Sequence, residues 1–233
     1  MRTDAKGYFL KEYGSWSVLF VSFLAGLIVS RAFPWQAVPL FFALGLLINS
    51  KQAFMKWTRK REDSFALLVF LGQVIVAAGI MIALFRGDIP ILLPLLLFPA
   101  AYLASNRLAG EHHVVTETLG FTLISLAAVL AKFLVIGGVD VRLFVATAFY
   151  FSAGVFKVKA LVLKKTKDRI LTVLWLVFSV FAYRGFHISL LILLPLVDNL
   201  LAAITLYKVR LKTIGWTEVA KSLVFLGLLS AIY

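Results

Sequence analysis

The sequence contains no cysteine, so disulfides, thiol nucleophiles and cysteine-ligated zinc or iron–sulfur centres are excluded. It has little acid, 11 Asp and Glu against 24 Lys and Arg, and only three His, which leaves few candidates for metal ligation or acid–base work. No Ser–His–acid arrangement, phosphate-binding P-loop or dinucleotide fingerprint occurs. Charge of either sign is scarce at 15%, where soluble domains carry about a quarter.

Apolar sequence is what remains. The 233 residues are 62% hydrophobic with a mean hydropathy of +0.97. A water-soluble surface cannot be built around so much apolar material. The runs are too long for amphipathic helices and too unbroken for barrel strands. The expected class is therefore all-α: a polytopic helical membrane protein forming one integral domain over 1–233. The net charge of +13 would point to nucleic acid in a soluble protein, but most cations lie in short segments between apolar runs, where the positive-inside bias accounts for them. No nucleic-acid partner is expected, and membrane lipids are.

The pattern predicts nine spans: Ser15–Phe33, Pro34–Ser50, Ser64–Phe85, Ile89–Asn106, Val114–Ile136, Val141–Lys157, Ile170–Arg184, His187–Tyr207 and Trp216–Tyr233. Pro34 is expected to open the second helix, where a missing N–H is harmless. Eighteen Lys and Arg fall on one side and five on the other, which places the N-terminus in the cytoplasm and the C-terminus outside, in the cell membrane of a prokaryote. Two basic stretches, "KQAFMKWTRKR" from Lys51 and "KVKALVLKKTKDR" from Lys157, read as cytoplasmic loops. A shift of 108 lays Lys56, Thr58 and Arg59 on Lys164, Thr166 and Lys167, so two four-helix units, 15–106 and 114–207, followed by a ninth helix at 216–233 are expected. Ser22, Gly26 and Ser30 form a small-residue face for close helix approach.

Several polar residues are candidates for function. Asp198, beside Asn199 within the eighth span, is costly at that depth, and Lys157 or Lys159 is its expected partner. Glu218 and Lys221 are spaced to pair on the ninth span. Gln73 needs a partner helix. Glu111, His112, His113 and Glu117 start the fifth span and read as a solvated helix start rather than a metal site; no metal or cofactor is expected. In "KEYGSW", Lys11, Glu12 and Tyr13 stand at a cavity mouth, or the segment anchors the helix through Trp16.

Nine helices with basic segments after the second and sixth resemble the layout of the UbiA superfamily of intramembrane prenyltransferases. That resemblance implies two Asp-rich motifs binding Mg²⁺ and a prenyl diphosphate. Here Asn49 matches the first motif, but Ser50, Ala53 and Trp57 replace its three Asp, and the second segment carries lysines. The metal chemistry is absent, which argues against the transferase. "KEYGSW", "ETLGF" (Glu117–Phe121) and "KTIGWTE" (Lys212–Glu218) are similar to segments of the YwiC-like membrane proteins, a family of no assured activity. The expected function is a binding protein or partner subunit holding an anionic lipid or isoprenoid phosphate in a basic cytoplasmic-side cavity. Its candidate residues are Lys11, Glu12, Tyr13, Asn49, Lys51, Lys56, Glu117, Lys157, Lys159, Asp198 and Glu218. The alternatives are a lipid or prenyl transferase using Asp198, Glu117 or Glu218 as acid or base, and a small transporter.

Overall fold

The computed structural model describes residues 13–59, 63–206 and 211–233, with backbone alone at 211 and 212. Among these residues the chain is helical throughout: α1 (Tyr13–Ser30), α2 (Ala37–Arg59), α3 (Ser64–Leu84), α4 (Ile89–Ala109), α5 (Val114–Ile136), α6 (Val141–Leu163), α7 (Thr166–Gly185), α8 (Leu190–Thr205) and α9 (Leu211–Ile232). Seven are long and apolar enough to cross a bilayer. The other two fall short for visible reasons. Lys167, Asp168 and Arg169 open α7, and α8 is seven residues of 3₁₀ helix followed by nine of α-helix.

The boundaries differ from the sequence reading at the basic stretches. Neither is a loop. α2 continues through Lys51 and Lys56 to Arg59, and α6 continues through Lys159 to Leu163. Lys, Arg, Gln and Met are good helix formers, so nothing in these segments stops a helix already under way. Pro34 does not open α2. Its carbonyl accepts from the Ala37 N–H at 2.9 Å, closing a turn from which the helix starts at Ala37. α4 and α8 are broken, each passing through 3₁₀ helix that contains a proline: Pro94 in Leu93–Leu96 and Pro195 in Leu190–Leu196. Proline removes one backbone donor and crowds the preceding turn.

α1 and α5 form the central pair. A Cβ added at Gly26 would lie 2.2 Å from the Ala128 carbonyl oxygen and 2.8 Å from the Ala131 Cβ, so only glycine permits the observed approach. The small-residue face of α1 thus meets α5. Two apolar cores flank this pair. One joins α1, α5, α6, α7, α8 and α9 around Ala128, Tyr150, Tyr183 and Phe225; the other joins α1, α2 and α5 around Leu40, Phe85 and Phe133. α3 buries only Ala66 and Ala77 and packs on α2. Leu68, Ile75, Leu97, Leu174 and Phe181 are exposed on the outside of the bundle. So extensive an apolar surface is stable against lipid, not water.

Candidate functional site

The polar side chains that sequence reading scattered over three helices meet in one cluster between α6, α8 and α9. Lys157, wholly buried on α6, donates to Asp198 on α8 and, at 2.7 Å, to Glu218 on α9. Lys221 lies 2.9 Å from Glu218 and 3.5 Å from Asp198, and it donates to Asn199 Oδ1. Asn199, also wholly buried, donates back to the Ala153 carbonyl at 3.1 Å. Two lysines therefore face two carboxylates, with no net formal charge, and one amide ties the cluster to the α6 backbone.

Local structure sets this geometry. Asp198 and Asn199 follow directly on the 3₁₀ segment, in the first turn of the α-helical half of α8. Glu218 and Lys221 share a face of α9, three residues apart. Glu218 lies beside Gly154 of α6, its Oε2 3.7 Å from where a Cβ would stand, an ordinary contact distance. One turn further along α9, Phe225 stacks on Tyr150 with ring centroids 4.0 Å apart and closes the cluster with apolar surface. Toward its opening the order of charges is distinctive. Asp198 and Glu218 keep 35% and 30% of their side chains exposed, whereas Lys157 keeps none. The carboxylates thus stand between the buried ammonium groups and the outside.

The other candidates lie outside this cluster, and sequence spacing did not reveal their partners. Lys159 bridges Glu117 at 2.9 Å and donates to the His112 carbonyl at 2.8 Å, tying α6 to the start of α5. Lys51 and Arg59 on α2 bridge Glu111 at 3.2 and 3.1 Å. His113 caps α5, its Nδ1 accepting from the Val115 N–H, while His112 Nδ1 lies 3.7 Å from Glu117. The histidine doublet is thus part of a helix start. Asn49 is buried in α2, and Lys56 lies on the same helix. Tyr13 is almost fully exposed at the start of α1. Trp16 packs its ring against Gly45 of α2, so it joins two helices instead of only anchoring one. Lys11 and Glu12 lie outside the described residues. The Oε1 of Gln73 is buried with no hydrogen-bond partner among the described residues. Arg169, not singled out by sequence, donates to the carbonyls of Ala203 and Ile204 and caps the end of α8.

A bundle of apolar helices with an ionic cluster held inside it defines an integral, multi-pass membrane protein of the helical class. Within that class, the YwiC-like protein family matches residues 10–132, more than half of the chain, and the chain belongs to that family. No curated protein and no solved structure matches it.

Proposed function

We propose that the chain binds the anionic head of a membrane amphiphile, an anionic lipid or an isoprenoid phosphate, at the Lys157–Asp198–Glu218–Lys221 cluster. The order of charges carries this reading. Buried lysines must keep a counter-ion, because an unpaired charge at that depth costs several kcal/mol, on the order of 3–5. A phosphate that replaces Asp198 preserves the balance, so the exchange avoids that penalty. Asp198 is the side chain placed to yield: it is the most exposed of the four and sits next to the 3₁₀ break in α8. The exposed Lys164, Lys165 and Lys167, in and beside the α6–α7 turn at the same end, would gather anions from the membrane surface. Lys51 and Lys159, already engaged by Glu111 and Glu117, hold the surrounding helices. In this reading the chain lies in the cell membrane of a prokaryote with the cluster toward the cytoplasm, as the lysine and arginine bias favours.

The test is native mass spectrometry of the purified chain with phosphatidylglycerol, a polyprenyl phosphate and phosphatidylcholine in competition. The wild type should retain the two anionic lipids preferentially. Asp198→Asn leaves two lysines against one carboxylate and should retain more. Equal retention of all three lipids, or a folded Asp198→Asn variant with a weaker anionic preference, overturns the proposal.

A second reading, a small transporter, is favoured by the breaks in α4 and α8, which would be the fourth helices of two four-helix units if the 108-residue shift marks a repeat. Interrupted helices in corresponding positions are where secondary transporters place substrate. If an intramembrane carboxylate serves a proton-coupled cycle, proteoliposomes should pass protons under an imposed gradient and Asp198→Asn should stop them. Proton-tight wild-type proteoliposomes would remove this reading.

A further inference from the structure

A second polar site lies at the opposite end of the bundle. The α5–α6 turn, the α7–α8 turn and the end of α9 border an open cavity of about 820 Å³. Lys132, Asp140, Arg142, His187, Ser189 and Tyr233 supply its polar wall, and the exposed side chains of Ile136, Val141 and Ile232 supply apolar surface. Its single side-chain carboxylate is already engaged. Asp140 Oδ1 accepts from the Leu143 N–H at 3.0 Å. Oδ2 accepts from Lys132 and, at 2.7 Å, from the Tyr233 hydroxyl. The Lys132 ammonium also sits 4.9 Å from the centre of the Tyr233 ring, which fixes it further in the wall.

The remaining charge is positive. Arg142 and His187 are exposed and have no ion-pair partner among the described residues. His187 adopts a left-handed backbone with φ of 55°. Glycine takes that conformation without strain. Here the conformational cost is accepted with an imidazole at the mouth of the cavity. The volume falls in the range of small-molecule sites, about 300–1,000 Å³, and far exceeds what a bare inorganic ion needs.

We infer that this cavity binds an organic anion. A phosphate or carboxylate head is held by Arg142 and His187, with Lys132 behind it, and an apolar body lies against Ile136, Val141 and Ile232. The head comes either from a soluble molecule or from a lipid of the facing leaflet. The site is separate from the Asp198 cluster and does not depend on it.

Calorimetry with hexyl phosphate, inorganic phosphate and hexanol tests the site on the purified full chain. Hexyl phosphate should bind at least about tenfold more tightly than inorganic phosphate, because several methylenes leave water. It should also bind more tightly than hexanol, which lacks the charge. The Arg142→Gln/His187→Gln variant should lose about tenfold or more in affinity, since charge-assisted hydrogen bonds are removed, while its melting temperature without ligand stays that of the wild type. Hexyl phosphate that also enters the Asp198 cluster is counted separately, because this variant keeps that cluster. Competition by phosphatidylglycerol in nanodiscs supports a lipid source; persistence of hexyl phosphate binding in those discs supports a soluble one. Hexanol binding as tightly as hexyl phosphate, or unchanged affinity in the double variant, overturns the inference.

Discussion

Lys157 is the residue on which the charge cluster turns. It is fully buried and donates to both carboxylates, so its removal takes from Asp198 and Glu218 the buried ammonium they share. Lys157→Met should destabilise the protein by about 3 kcal/mol, the low end for a broken buried pair, because both acids keep some solvent. Combining it with Asp198→Asn should recover part of that loss. The coupling between the two changes, about 1–3 kcal/mol for side chains in one network, is measurable by a double-mutant cycle in detergent unfolding. Strict additivity would show that the pair does not act as a unit. At the other end, burial alone would raise the Asp140 pKa, but its hydrogen bonds to Lys132, Leu143 and Tyr233 outweigh burial and hold the carboxyl below the ordinary carboxylate value. A depressed folded pKa stabilises the protein above the unfolded value, and that stability is lost as pH falls through the folded value. The stability advantage of wild type over Asp140→Asn should therefore hold from neutrality down to about pH 4 and shrink in stronger acid. An advantage that instead disappears above pH 5 would contradict the assignment.

Among elements, α1 and α5 depend on a glycine. Gly26→Ala drives a Cβ into the Ala128 backbone, which cannot move as a side-chain end can. The cost should be at least about 1–3 kcal/mol, the range of overpacking, read as a drop in melting temperature. Gly79 on α3 has nothing within 4 Å of an added Cβ, so Gly79→Ala should be neutral or stabilising by up to about 1 kcal/mol. Equal effects at the two positions would refute the close approach. The spacing of Ser22, Gly26 and Ser30 made this interface visible in advance, although not its partner. The extents of α2 and α6 were less legible, because hydropathy marks where a segment leaves the apolar layer, not where its backbone hydrogen bonding stops. The 3₁₀ segments of α4 and α8 were hinted at by their prolines, but a proline specifies a break and not the geometry that replaces it.

For the molecule as a whole, alternating helices put the N-terminus of α1 and the C-terminal end of α9 on opposite sides if all nine cross. Reporter fusions to each end should give opposite compartments, the amino end cytoplasmic; like signals from both ends would require an even number of crossings. The sequence by itself determined the class, since no soluble fold can cover this much apolar surface, and it determined most helix positions, since apolar run length is a local property. It also singled out Asp198 as costly at its depth, offered Lys157 or Lys159 as its partner, and spaced Glu218 and Lys221 to pair. Only the tertiary structure decided that they form one cluster, that Asn199 ties it to α6, and that the acids stand outside the lysines. It alone also paired Lys51 with Glu111 and Lys159 with Glu117. Ion pairs across helices depend on rotation and packing of separate segments, which Cβ positions fix in space and residue order along the chain does not.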